Sequence, residues 1–351
     1  MDLQGKRVLV LGGSLFMGPP TIQALLEAGA NVTVMNRGVS DPAGAQGFGD
    51  AVTQVRVDRK SDEFPAFLRG SGSWDAIVDY IAYTVPEVEP LLVELGPEKM
   101  GHYIYISSDS TYMGSDPAKF VREDGRLLEA STVRHTDPAL HQVRHDSDTY
   151  GSNKLFIEEY LAEQEGLLWT ALRLPDVLGP HDRSNRQSTL LQMLVRGEAI
   201  GTQVKAPSEK AVPGWRDGDG NSHLVGNVYA PDVARACVCV LEAGAQSGGV
   251  GLNIASAEAP TWVEFVQLVE TALAKHVPNL APASFDDAKP CPRGLPSVDA
   301  DVGALHVGLA ERVCGWTPTP MAEWVEDTVA WAVKEDTELL ANTKLGDRAN
   351  L

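Results

Sequence analysis

One stretch near the start constrains this chain more than any other. Val8-Leu9-Val10-Leu11 is an apolar run of strand length, and Gly12-Gly13-Ser14-Leu15-Phe16-Met17-Gly18 follows it. Ile22, Leu25 and Leu26 then recur at helix spacing. Val32-Thr33-Val34-Met35, rich in β-branched residues, ends in Asn36-Arg37-Gly38. Strand, glycine-rich turn, helix and strand within about 30 residues predict a βαβ unit that binds a dinucleotide. The chemistry requires this order, because a pyrophosphate has to approach backbone N–H groups at a helix N-terminus, where the dipole favours negative charge. Gly12 and Gly13 permit the tight turn, and Gly18 permits close helix–sheet packing. Leu15 stands where the usual spacing has its middle glycine. Pro19 and Pro20 fall in the first helical turn, where proline is tolerated. Gly12, Ser14, Leu15, Phe16, Met17 and Gly18 are the expected cofactor contacts, and a βαβ unit without a ligand is the competing reading.

The alternation continues down the chain. Val55 and Val57, spaced by polar residues, predict a third strand ending near Asp58. Asp58 is either an acceptor for an adenine amino group or a solvated loop acid. Residues 74–82 read as a fourth strand, Pro86 to Leu95 as a helix, and 102–108 as a fifth strand. Strands alternating with helices predict an α/β fold, a Rossmann-type doubly wound parallel sheet covered on both faces. Ligands of such sheets bind beyond the carboxyl ends of the strands. Gly12, Asn36, Asp58, Ala82 and Ser108 all fall at such ends, which predicts one site built from several turns.

The end of the second strand bears on the cofactor. Units specific for NAD usually carry an acid there for the ribose 2′-hydroxyl. Asn36 and Arg37 offer an amide and a cation instead, which favours the 2′-phosphate of NADP and leaves NAD as the alternative. A plain surface cation is the competing reading of Arg37.

The second informative stretch is Tyr150-Gly151-Ser152-Asn153-Lys154, which opens a helix running to about Leu161. Tyr150 and Lys154 share a helix face at i, i+4. Tyrosine is an ineffective base at its ordinary pKa of about 10. A neighbouring ammonium favours the phenolate and lowers that value. Ser108, closing the fifth strand, can hydrogen-bond a reacting oxygen. A Tyr–Lys pair alone is weak; behind a glycine-rich βαβ unit and a strand ending in serine it points to catalysis.

Composition narrows the classes. The net charge is −19, from 29 Lys and Arg against 48 Asp and Glu. Phosphates repel such a surface, which argues against nucleic-acid and anionic-membrane partners. Cys237, Cys239, Cys291 and Cys314 lack metal-site or redox spacing, so reduced thiols and no bound metal are expected. No leader is expected before the first strand, and no apolar run reaches the length of a membrane span. A soluble, reducing compartment, the cytoplasm first, is the expectation.

At this point the chain resembles the extended short-chain dehydrogenase/reductase superfamily, in its NAD(P)-dependent epimerase/dehydratase group. The resemblance rests on Ser107-Ser108-Asp109-Ser110-Thr111-Tyr112, on 150–154, on Leu172-Arg173-Leu174-Pro175-Asp176-Val177-Leu178-Gly179-Pro180, on Tyr229-Ala230-Pro231-Asp232-Val233-Ala234 and on Gly315-Trp316-Thr317-Pro318. The turn at 12–18, Asn36-Arg37-Gly38 and Asp58-Arg59 are most similar to an atypical branch that includes the chloroplast stem-loop-binding proteins. The resemblance implies that Ser108, Tyr150 and Lys154 form a catalytic triad. It also implies that Arg59, Ala82, Pro175 and Val177 join the cofactor site. It implies hydride transfer on a sugar or sugar nucleotide and leaves a homodimer open. Two departures stand out. Dehydratases of the group carry Asp-Glu after the catalytic Ser or Thr, and here Asp109 is followed by Ser110. Sugar-nucleotide epimerases often carry an arginine shortly before the motif matched by Asp232, and here Leu224-Val225-Gly226-Asn227 stands there. An NADPH-dependent reductase of a small carbonyl compound and a non-catalytic RNA-binding relative remain as alternatives.

The remaining expectations concern the second half. Residues 1–180, rejoined by about 223–256, should bind the cofactor, and 181–351 should mainly form a smaller substrate lobe. Asp109, Ser110, Asp176, Arg183, Arg186 and Arg216 are candidate substrate contacts. The long connection 113–149, with His135, His141 and His145, reads as a flap over the substrate. Thr261 and Glu264 form a capping box opening a helix, and Met321, Trp324, Val325 and Val329 mark a late amphipathic helix.

Overall fold

In a computed structural model of the chain, the structure describes residues 1–39, 47–112, 149–182, 186–205, 211–213, 224–290 and 305–335. Arg183, Arg216, Cys291 and the connection holding His135, His141 and His145 lie outside the described residues. Strand β1 (Arg7–Leu11) leads into helix α1 (Gly18–Glu27), β2 (Asn31–Asn36), β3 (Thr53–Arg56), α2 (Glu63–Gly70), β4 (Ala76–Asp79), α3 (Val85–Glu94) and the short α4 (Pro97–Met100). Then come β5 (His102–Ser108), α5 (Thr149–Ala162), β6 (Leu168–Leu174), β7 (Asp176–Leu178), α6 (Arg186–Val195), β8 (Ile200–Lys205), β9 (Ala211–Pro213) and β10 (Asn227–Tyr229). The chain finishes with α7 (Ala230–Ala243), β11 (Val250–Asn253), α8 (Trp262–Ala274), β12 (Phe285–Pro290), α9 (Gly308–Cys314) and α10 (Met321–Glu335).

Seven strands pair in the order β11-β6-β5-β4-β1-β2-β3, every pair parallel. The apolar side chains of β1 explain the burial on both faces. Val8 and Val10 pack into a cluster with Ile22 and Leu25 of α1 and Val233, Cys237 and Val240 of α7. Leu9 and Leu11 point the other way, into a cluster with Phe64 of α2, Leu91 of α3 and Ile157 of α5. A continuous apolar strand therefore builds a sheet with helices on both faces, the doubly wound arrangement. A separate cluster joins α6, α8 and α10 through Leu190, Phe265, Val269, Trp324 and Val325, and this is the core of the smaller lobe. Thr261 caps α8 as its sequence predicts: its hydroxyl accepts from the Glu264 N–H, while the Glu264 carboxylate accepts from the Thr261 N–H.

Two strands are shorter than their sequence suggests. The third ends at Arg56 rather than near Asp58. The fourth covers only 76–79, because the Asp79 carboxylate accepts the Ile81 N–H at 2.9 Å and turns the chain out of the ladder. Tyr80 to Tyr83 therefore form a loop over the strand ends rather than more sheet.

Candidate active site

The first βα turn has the backbone its glycines allow. Gly12 and Gly13 both take positive φ, at 92° and 75°. A Cβ on Gly18 would lie 2.1 Å from the Gly13 carbonyl oxygen, so only glycine lets the start of α1 approach the turn. Pro19 and Pro20 occupy the first helical positions without loss of a bond. Around this turn opens a cleft of about 510 Å³, lined by Gly12, Ser14, Leu15 and Met17, by Asn36 and Arg37, and by Asp58 and Arg59. Gly13, Lys60, Tyr80, Ile81, Tyr83 and Glu87 complete part of the wall, and none of them is among the cofactor contacts expected from the sequence. Phe16 instead packs on the core beside α1, with φ of 52°. Gly18, Ala82, Pro175 and Val177 stand outside the cleft lining.

Two donors in the cleft lack a partner. Asn36 is buried, its Oδ1 accepting the Gly38 N–H at 2.8 Å, and its Nδ2 has no partner. Arg59 gives its terminal nitrogens to Asp79 at 2.8 and 2.6 Å, and its Nε has no partner. A buried unpaired donor costs about 1–3 kcal/mol. The two donors, with the glycine cradle and exposed Arg37, match a ligand rich in acceptor oxygens and nitrogens, which a dinucleotide is. Burial works against the Asp79 charge, but Arg59 more than offsets it, and the carboxyl stays below its ordinary range. Asp58, by contrast, accepts the Lys60 N–H at 2.9 Å in a local turn.

Ser108 closes β5. Its hydroxyl donates to Asp109 Oδ1 at 3.2 Å and accepts the Ser110 N–H at 3.1 Å. Tyr150, 44% exposed, opens α5 with its ring 6.3 Å from that of Tyr83. Lys154 is buried one turn further on, with Nζ 5.8 Å from the Tyr150 ring centroid. Its ammonium donates to the carbonyls of Ala82 and Ile106, both at 2.9 Å, and lies 4.8 Å from the rings of Tyr83 and Tyr105. Burial lowers its pKa to about 8, against the opposing fields of Asp79 and Glu158. Ala82, expected at the cofactor, thus supplies a carbonyl to Lys154.

Beside Ser108 is a charged group. Asp176 pairs with Arg186 at 3.1 Å, and Asp109 stands close enough to feel both. Burial first, and then the Asp176 charge, raise Asp109 to about 7. Asp109, Ser110, Asp176 and Arg186 therefore gather at one place. Among the described residues no cluster of three or more His, Cys, Asp or Glu side chains could hold a metal, and no helix is long and apolar enough to cross a membrane.

A βαβ glycine turn, a cleft at the strand ends and a Tyr–Lys helix beside a serine-ended strand define a dinucleotide-dependent class of α/β protein. A model of the NAD dependent epimerase/dehydratase family matches residues 8–255, and the chain belongs to that family. In overall fold it is similar to UDP-glucose 4-epimerase from Thermotoga maritima, with a TM-score of 0.65 at 19% identity over 93% of this chain and 99% of that one. It is also similar to the Thermus thermophilus UDP-glucose 4-epimerase in complex with NAD, with a TM-score of 0.64 at 19% identity over 94% and 99%. In sequence it is 28% identical over 204 residues to the chloroplast stem-loop binding protein of 41 kDa b from Arabidopsis thaliana, over 56% of this chain. The match spans 48% of that relative's length.

Proposed function

We propose that this chain is a nicotinamide-dependent oxidoreductase of the epimerase type, acting on a hydroxyl or carbonyl of a sugar, best of a sugar carried on a nucleotide. The observation that supports this reading is Lys154, held on the Ala82 and Ile106 carbonyls with its ammonium 5.8 Å from the Tyr150 ring, in a helix whose Tyr150 meets Tyr83 of the cleft wall. The bound nicotinamide supplies the hydride acceptor and donor. Tyr150 takes the hydroxyl proton as the substrate is oxidised and returns it on reduction. The Lys154 ammonium lowers the cost of the Tyr150 phenolate, and the Ser108 hydroxyl holds the reacting oxygen. Asp109, Ser110, Asp176 and Arg186 face the substrate, with the lobe from residue 181 onward. UDP-sugar epimerases among the structural neighbours support the substrate class.

NADP is the proposed cofactor. Asn36 offers a donor where a carboxylate acceptor would select the 2′-hydroxyl, and Arg37 adds a cation on the cleft wall. Titrating both cofactors should give tighter NADP(H) binding, which Arg37→Ala should weaken. Equal affinities, or an Arg37→Ala variant unchanged toward NADP(H), would reject the preference in favour of NAD. For the reaction, turnover is measured against UDP-hexoses and small carbonyls. Interconversion of UDP-hexoses with retained cofactor supports the proposal. Carbonyl reduction alone, with cofactor exchange at each turnover, replaces it by a reductase.

The likeness to a stem-loop binding protein supports a second reading, RNA binding. The net charge of −19 opposes it, because phosphate contacts need basic surface. A gel-shift titration with stem-loop RNA decides it: no shift at physiological salt is expected.

A further inference from the structure

Behind the Tyr–Lys helix runs a buried polar chain that neither the catalytic groups nor the cleft uses. Glu158 lies four residues beyond Lys154, on the same face of α5, and is buried. Its Oε1 accepts the hydroxyl of Ser107, the neighbour of Ser108, at 2.6 Å. Its Oε2 accepts from Arg173 of β6, Nη2 at 2.5 Å and Nε at 3.1 Å. Arg173 Nη1 donates to the Tyr112 hydroxyl at 2.6 Å, which donates to Asn253 Oδ1 at 2.8 Å. Asn253 Nδ2 then donates to the His306 carbonyl at 3.0 Å, in the segment that enters α9. One carboxylate therefore ties α5 to β5 and β6, and the chain reaches the sheet edge at β11.

A buried ion pair is weak evidence for stability, since apolar residues of similar volume often replace it at no cost. What apolar residues would lack is direction. Two carboxylate oxygens, a hydroxyl and a planar guanidinium fix one rotation and one register of α5 against the strand that carries Ser108. A misplacement of about 1 Å in a catalytic group can cost about 10²-fold in rate.

We propose that Glu158 is a positioning residue: held by Arg173 and Ser107, it sets where α5 presents Lys154 and Tyr150 to the nicotinamide half of the cofactor. This rests on the reading that the cleft binds a nicotinamide dinucleotide. The Glu158 carboxylate also opposes the loss of charge on Lys154 that burial promotes.

The test separates the two halves of the cofactor. Binding of NADP+ and of 2′-phospho-ADP-ribose, which lacks the nicotinamide, is measured by calorimetry on the full chain. The variants are Glu158→Leu with Arg173→Met, which removes both charges at similar volume, and Ser107→Ala, which removes one hydroxyl. Melting temperatures check that each is folded. In the double variant, affinity for NADP+ should fall about tenfold, the worth of one charged hydrogen bond, while affinity for 2′-phospho-ADP-ribose stays within twofold. Ser107→Ala should show the same split, smaller. If the double variant is unfolded, Ser107→Ala alone decides. Equal loss for both ligands, or loss for neither in a folded variant, overturns the proposal and leaves the pair a structural filler. Failure of the unmodified protein to bind either NADP+ or NAD+ would instead reject the dinucleotide reading itself, and binding of NAD+ alone moves the same comparison to NAD+ and ADP-ribose.

Discussion

At the scale of single residues, protonation sets the behaviour to be expected. Lys154 has a pKa of about 8 in the folded protein against 10.5 ordinarily. Its ammonium is therefore lost as pH rises through about 8, and NADP(H) affinity should be flat below that value and fall above it. Stability should move the other way. The unfolded chain binds this proton more tightly, so between pH 8 and 10.5 unfolding takes up protons and stability rises with pH. Lys154→Met should abolish both trends, and affinity that stays flat to pH 9.5 in the unmodified protein would contradict the assignment. Asp109 has the opposite linkage. The folded state keeps its proton up to about pH 7, the unfolded chain only to about 3.8, so stability falls as pH rises between them. Denaturant unfolding of Asp109→Asn across that window should show a flatter profile than the unmodified protein. At this scale the sequence was partly legible. Tyr150, Lys154 and Ser108 carry a spacing that chemistry explains. Asp79 and Glu158 carry none, because their partners Arg59 and Arg173 are 20 and 15 residues away and only the fold brings them together.

At the scale of elements, the glycine turn and α1 were legible because sterics leave few options. Gly18→Ala would push a Cβ into the Gly13 backbone, so α1 must move from the turn. Overpacking of this kind costs about 1–3 kcal/mol. Lower stability with a larger loss of dinucleotide affinity is expected in a melt and a titration of that variant, and unchanged binding would separate the turn from the cofactor. The cap of α8 is a milder case. Thr261→Ala should cost about 1 kcal/mol of stability, with cofactor affinity unchanged, because α8 belongs to the other lobe. Strand ends were less legible. Val57 continues the alternation beyond β3, yet pairing stops at Arg56. In the loop 80–83, residues 80–82 read as strand by their apolar side chains, yet the strand ends at Asp79, whose carboxylate takes the Ile81 N–H. That short loop brings Tyr80, Ile81 and Tyr83 to the cleft, which is why the periodicity concealed them.

At the scale of the whole molecule, the doubly wound sheet follows from alternating runs of strand and helix, whereas the order of its seven strands, β11-β6-β5-β4-β1-β2-β3, is seen only in the structure. The smaller lobe was readable as helices but not as an assembly, because the mixed sheet β12-β8-β9 joins segments more than 70 residues apart. The cleft and the Tyr–Lys helix meet at one end of the sheet, so a single change there should separate chemistry from binding. Tyr150→Phe keeps the ring and removes the proton. The direct measurement is absorbance at 340 nm after mixing NADP+-loaded protein with UDP-hexoses, for the unmodified chain and for Tyr150→Phe. The account predicts a signal in the unmodified chain that slows about 10²–10⁴-fold in the variant, with melting temperature and NADP+ affinity unchanged. A Tyr150→Phe variant that reacts at the unmodified rate would contradict it.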